Sequence, residues 1–277
     1  MSSKFEESNY ISSYLILLSI AVICLFPLLW MLSSSLKSQS EIFTNMSLIP
    51  KKIHFQNYID AWVKGKFAIY FLNSLIYTLC GVLGILVITS LCAYALARLN
   101  VPFKNIIFLI LIIPLIVPLP GTFVPLYVLL KRLGLLDTRI GLILCYINGG
   151  LAFGIFLLKS FFEEIPKELE EAAIIDGATR WQIYFRIMLP LVKPALATLA
   201  IFNTVSIWNE FLLALIVLQN PSKMPIQRGL MVFQGTHITE YGQLMAGLSI
   251  ATLPVIIIYL LMQKYIIKGI TAGALKG

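Results

Sequence analysis

Glu170-Glu171-Ala172-Ala173-Ile174-Ile175-Asp176-Gly177-Ala178, running on to Ile187-Met188-Leu189-Pro190, is the stretch whose reading decides the fold. It is a polar island between two apolar runs, Gly141–Lys159 and Ala195–Leu218, each near the roughly 20 residues that cross hydrocarbon. A charged helix–glycine–helix unit cannot face lipid, so it must stand in water and meet something there. Pro166 suits the first turn of a helix, where a missing N–H costs nothing. Glu168, Glu170 and Glu171 then fall near that helix's positive end, where each carboxylate is favoured by about 0.3–1 kcal/mol. Gly177 is predicted to take the left-handed conformation that stops the helix. A second helix should start near Thr179 and end before Pro190. Ala172 and Ala173 offer a small face that another surface can approach closely.

Outward from this island the chain is apolar. Of its 277 residues 59% are hydrophobic and 12% charged, about half the charged fraction of a soluble domain. A soluble helical protein of this make-up would expose far too much apolar surface. The predicted class is an all-α polytopic membrane protein with six spans: Ser13–Leu32, Ile69–Leu96, Ile106–Leu130, Gly141–Lys159, Ala195–Leu218 and Leu244–Ile266. The first is too long for a signal-peptide core and lacks a basic leader and a small-residue cleavage site, so it reads as a retained span.

The net charge of +8 is spread over nearly every loop and matches no nucleic-acid module. Lys and Arg divide almost evenly between the two sides, leaving orientation open on charge alone. In the loop from Ser33 to Ala68, Phe55–Trp62 reads as a short amphipathic helix. Cys24, Cys80, Cys92 and Cys145 lie inside apolar runs without metal-ligand spacing and read as small core residues. His54 and His237 are isolated in loops. No catalytic or metal-ligating cluster is visible, and no G-x-x-x-x-G-K-[ST] phosphate loop occurs.

Three polar residues of the fifth span, Asn203, Ser206 and Glu210, fall within about 60° of one another on a helical wheel. A mid-span carboxylate is costly, so the stripe should face a cavity or a partner; the family resemblance set out below implies that it lines a translocation pathway and brushes a hydroxyl-rich solute. Two alternatives stay open: bonding to a partner helix, or a Glu210 close enough to the surface to be wet. Pro114, Pro118, Pro120 and Pro125 crowd the third span and are candidate helix bends. Gly150 and Gly154 form a G-x-x-x-G pair suited to close helix packing.

The spacing Glu-Ala-Ala-x3-Gly-x9-Ile-x-Leu-Pro at Glu171–Pro190 resembles the cytoplasmic loop by which ABC importer permeases dock on their ATPases. Asn73-Ser74, Asn57-Tyr58 with Trp62, Trp208-Asn209-Glu210-Phe211 and the tail Lys268–Gly277 extend the likeness over nearly the whole chain. The chain resembles the inner-membrane permease subunit of a type-1 ABC importer, of the maltose-type carbohydrate group. The resemblance implies that Glu171, Ala172, Ala173, Asp176, Gly177 and Arg180 dock an ATPase. It implies a second homologous permease, two ATPases that bind ATP and magnesium, an extracellular solute-binding protein and a carbohydrate substrate, with no cofactor in this chain and no catalysis by it. It implies a multi-pass protein of a prokaryotic cell membrane with both termini cytoplasmic. Residues 1–68 would form the first span and outer loop, 69–267 the transmembrane core with its docking loop at about 160–193, and 268–277 a cytoplasmic tail. The alternatives are an ABC permease for polyamines, phosphate or oligopeptides, and an ion-coupled secondary transporter. The latter would need inverted repeats and coupling carboxylates, of which Glu210 is the one candidate. A DNA-binding helix-turn-helix fits the local outline but would be tethered by spans at both ends.

Overall fold

Long apolar runs fold as helices because a helix satisfies each backbone N–H and C=O inside its own segment. The computed structural model describes the backbone of residues 2–116, 119–234 and 239–274, and the side chains of 13–116, 121–234 and 239–262. In chain order its helices are α1 (Ser2–Ser35), α2 (Gln39–Thr44), α3 (Gln56–Val63), α4 (Phe67–Arg98), α5 (Lys104–Ile112), α6 (Phe123–Arg132), α7 (Arg139–Glu164), α8 (Glu168–Ile175), α9 (Arg180–Ile183), α10 (Leu189–Leu191), α11 (Lys193–Trp208), α12 (Leu212–Val217), α13 (Ile226–Gly229) and α14 (Tyr241–Ala274). Among the described residues no β-strand forms beyond one isolated bridge, Gln234 to Thr239.

Four helical stretches are long and apolar enough to cross a membrane: Ser13–Ser35, Phe67–Arg98, Arg139–Glu164 and Tyr241–Met262. A fifth crossing is available as a bent pair, Arg180–Leu191 with Lys193–Trp208, at 72°. The expectation of continuous helices therefore needs correction in two places. The third run, Ile106–Leu130, is not one helix. It breaks after α5 into 3-10 turns at Ile113–Leu115 and Leu119–Thr122 before α6 begins. Pro114 sits in the first of these turns, and its ring cannot donate the hydrogen bond a continuing helix requires. Pro120 lies in the second. Pro125 is the third residue of α6, where backbone N–H groups lack helical partners anyway. Pro118, like His237, falls outside the described residues.

The fifth run is also interrupted. It stops at Trp208 and resumes at Leu212. The helix expected to end before Pro190 instead runs through it. A π-helical turn at Tyr184–Met188 lets the Leu189 N–H reach the Tyr184 carbonyl, and the chain bends at Val192, ahead of Pro194.

The chain divides into two compact units, Met1–Ala68 with Leu230–Leu253, and Ile69–Gly229 with Pro254–Gly277. In the first, the amphipathic α3 forms as expected. Asn57 donates to the carbonyls of Ser35 (2.8 Å) and Lys37 (2.9 Å), and Tyr58 Oη pairs with Ser35 Oγ at 2.8 Å. Those contacts close the carbonyl end of α1. Lys37 is fully buried, its ammonium on the Asn45 and Ser47 carbonyls and 4.9 Å from the Trp30 ring. Along the span of α1 the side chains from Tyr14 to Leu29 are exposed, as a helix facing lipid or other helices requires.

In the second unit the core lies where α4, α7 and α11 meet, around Ile85, Leu142, Leu158 and Leu199, all fully buried. Gly150 and Gly154 make that approach possible. A Cβ on Gly150 would lie 2.4 Å from Ile85 Cδ1 and 2.5 Å from Asn203 Oδ1, and one on Gly154 would lie 2.6 Å from Thr89 Cγ2. The glycine pair is a packing seam, as its spacing predicts. Of the cysteines, Cys145 is a core residue. Cys24 and Cys80 are exposed on apolar helix flanks and Cys92 is half-buried, because a membrane helix can turn small apolar residues outward at no cost.

Candidate functional site

The hairpin α8–α9 is built by local signals that all agree. Gly177 has a φ of 80°, the left-handed region. With it, Gly177 N–H reaches the Ile174 carbonyl at 3.0 Å and Ala178 N–H the Ala173 carbonyl at 2.9 Å. This paired closure is a Schellman motif. Two residues on, Thr179 and Gln182 form a reciprocal capping box that opens α9. Pro166 stands just ahead of α8, whose N-cap is Lys167.

The hairpin has two faces. Glu171, Ala172, Asp176, Gly177 and Arg180 are exposed, while Ala173 is buried in the core cluster beside Ile183 and Tyr184. The outer face also carries Ile175 and Trp181, 86% and 64% exposed. These two escaped the sequence reading. For Ile175 the available signal was a large apolar residue two positions before the helix-stopping glycine of a solvated helix, where burial cannot account for it.

Glu170 does not act as a solvated first-turn carboxylate. Its side chain is 9% exposed and meets the 4% exposed Arg98 at the end of α4, with Arg98 Nε 3.4 Å from Oε1. Arg180 Nη1 is 3.9 Å from its other oxygen. The Arg98 guanidinium also donates to the Phe162 and Ile165 carbonyls at the end of α7. Further along α4, Ser90 Oγ pairs with Tyr184 Oη at 2.8 Å. Between them the Tyr94 ring packs 5.2 Å from Tyr184 and 5.7 Å from Phe162.

The candidate pathway residues do not share one environment. Asn203 is buried with its amide donated to the Leu199 carbonyl (2.8 Å), and Ser206 is exposed. Glu210 lies beyond the end of α11, so the helical wheel no longer applies to it. Its carboxylate accepts from the backbone N–H groups of Leu213 (2.6 Å) and Ala214 (3.1 Å) and from the Tyr146 hydroxyl (3.1 Å). Glu210 thus caps α12 and holds the break open.

At the far end of α4, Asn73 donates to the carbonyls of Ser222 (2.9 Å) and Met224 (3.0 Å) and accepts from Arg139 (3.0 Å). Ser74 Oγ takes the Ile226 N–H at 2.8 Å, and Tyr77 Oη donates to the Lys223 carbonyl at 2.6 Å. Asp137 accepts from the Gln219 and Asn220 N–H groups, both at 3.0 Å, and pairs with Lys223. The Asn220 N–H is the leading cause holding the Asp137 carboxyl below its ordinary range, helped by Gln219 and Lys223. Asn73 and Arg98 are separated by roughly 35–40 Å of helix at 1.5 Å per residue. That exceeds the hydrocarbon thickness of about 30 Å. The 219–226 segment and the hairpin are therefore held at opposite ends of α4.

A family model described as the binding-protein-dependent transport system inner membrane component matches residues 81–272. The chain is 35% identical over 266 residues to the diacetylchitobiose uptake system permease protein NgcG of Streptomyces coelicolor, covering 95% of this chain and 88% of that one. It is 35% identical over 267 residues to the arabinooligosaccharides transport system permease protein AraQ of Bacillus subtilis, covering 95% and 94%. Among solved structures, a chain of a bacterial ABC transporter involved in import of the acidic polysaccharide alginate superposes with a TM-score of 0.83. That chain is 27% identical, and the match covers 94% of this chain and 97% of that one.

Proposed function

Because the chain belongs to the inner membrane components of binding-protein-dependent transport systems, we propose that it is half of the membrane path of an ATP-driven importer for a sugar or oligosaccharide. A second homologous permease completes the path. Two ATPase subunits, which bind ATP and magnesium, dock on Glu171, Ala172, Asp176, Gly177 and Arg180. Ala173 works from the inner side, seating the docking helix on the core. The hairpin is cytoplasmic, and so are both termini. The chain crosses the bilayer six times, the third crossing made by the interrupted α5–α6 run and the fifth by the interrupted α11–α12 run. An extracellular solute-binding protein delivers the sugar to the face that carries the 219–226 segment. Of the pathway candidates, Ser206 is exposed to meet the solute, while Asn203 and Glu210 position the helices around it.

The observation that carries this reading is the two-faced hairpin: a solvated outer face with an apolar tip, on a base fixed to α4 and α7. The relatives named as saccharide permeases support the substrate class. Purifying the chain with its co-expressed partners tests it. The expected result is an ATPase in the complex, with hydrolysis stimulated by a binding protein loaded with an oligosaccharide. A complex without an ATPase, or stimulation by a polyamine or phosphate and by none of a sugar panel, would overturn it.

A further inference from the structure

Ser90, Tyr94 and Arg98 recur every four residues and so lie on one face of α4. Each grips a different part of the hairpin or its base: Ser90 the Tyr184 hydroxyl, Tyr94 the rings of Tyr184 and Phe162, Arg98 the carboxylate of Glu170. Arg98 carries the most connections. One guanidinium meets α8 through Glu170 and the end of α7 through the Phe162 and Ile165 carbonyls. At its opposite end the same helix holds the 222–226 segment through Asn73, Ser74 and Tyr77.

The Arg98–Glu170 contact is unusual in one respect. Both Nε and Oε1 are buried, and neither has a well-formed hydrogen bond. A buried charge pair held by attraction without that geometry has free energy to gain from a small shift of α8 against α4. Such a pair ties the position of one helix to that of the other.

We propose that Arg98 is the positioning residue that makes α4 follow the docking hairpin, with Glu170 as its counterpart, so that movement at the hairpin reaches the 222–226 segment on the opposite face. This rests on the hairpin being the ATPase dock. It adds the internal path by which docking and the outer segment communicate.

The test uses the whole complex in liposomes, with Glu170→Gln, Arg98→Lys, Arg98→Gln and the Arg98→Gln/Glu170→Gln double variant. Complex yield, basal hydrolysis, hydrolysis stimulated by the loaded binding protein, and solute imported per ATP are read together. Glu170→Gln should copurify with the ATPases at normal yield and keep basal hydrolysis, while stimulation falls about tenfold, within the 5–150-fold range of allosteric couplings. Arg98→Lys keeps the charge but not the forked reach, so it should fall between the unaltered chain and Arg98→Gln. The double variant should lose no more than the worse single one, because the residues act as one device. Normal stimulation in Glu170→Gln overturns the proposal. So does loss of the ATPases from that variant, which would make the pair merely structural, and so do losses that multiply in the double variant. If the unaltered chain binds no ATPase, the docking reading has failed instead.

Discussion

Gly177 is the residue at which backbone geometry and the proposed docking meet most directly. Its φ of 80° is accessible to glycine without strain, and a Cβ there would have nothing within 4 Å. The cost of replacing it is therefore conformational, about 1–2 kcal/mol for an ordinary residue, and largest for a β-branched one. Gly177→Val should leave the protein in the membrane yet release the ATPase or uncouple hydrolysis from uptake. Gly177→Asn, which tolerates the left-handed region, should stay close to normal. Equal loss in both variants would show that the surface and not the turn was damaged. Glu210 was legible as a carboxylate within an apolar run but not in its contacts. A helical wheel assumes an unbroken helix, and no residue type at 209–211 announces that the carboxylate itself will take the N–H groups of Leu213 and Ala214. Glu210→Gln weakens a charge-assisted cap by about 1.5–3 kcal/mol. Thermal stability of the complex in detergent should fall, with uptake falling alongside it and sugar preference unchanged. Unaltered stability with a shifted preference would return Glu210 to the solute path.

Elements were legible where a local rule governed them. The glycine stop of α8, the start of α9 near Thr179, the amphipathic α3 and the glycine seam on α7 each follow from spacing within a turn or two. The interrupted third and fifth runs were not, because hydropathy is blind to whether a stretch is one helix or two. The prolines marked the third run as bent without saying it would break. The anchoring of the 222–226 segment was hidden for a different reason: Asn73 and Met224 are remote in sequence, and only the fold brings them together. Asn73→Ala removes the donor to the Ser222 and Met224 carbonyls and leaves that of the buried Met224 unpaired, a cost of about 1–3 kcal/mol. Amide hydrogen exchange over residues 219–229 should accelerate while the core of α7 stays protected. Unchanged exchange at Ile226 in Asn73→Ala would mean that Ser74 and Tyr77 suffice to hold the segment.

On the scale of the whole molecule, α4 carries the hairpin at one end and the 219–226 segment at the other, roughly 35–40 Å apart along the helix and so farther than hydrocarbon is thick. Basic residues could not orient them, since they divide evenly between the loops, so orientation rests on the hairpin. In a cysteine-free background, a cysteine at Thr179 should resist an impermeant thiol reagent in intact cells, and one at Ser222 should react. The reverse pattern would invert the topology. The central claim, that the exposed face of the hairpin is where an ATPase sits, is tested most directly by photo-cross-linking from Ile175, whose side chain stands 86% exposed at its tip. With a photoreactive residue at position 175, irradiated membranes should yield an adduct identified by mass as permease plus ATPase, and the same residue at Ser222 should not. An ATPase adduct from position 222, or none from 175 in a complex that still transports, would contradict the account.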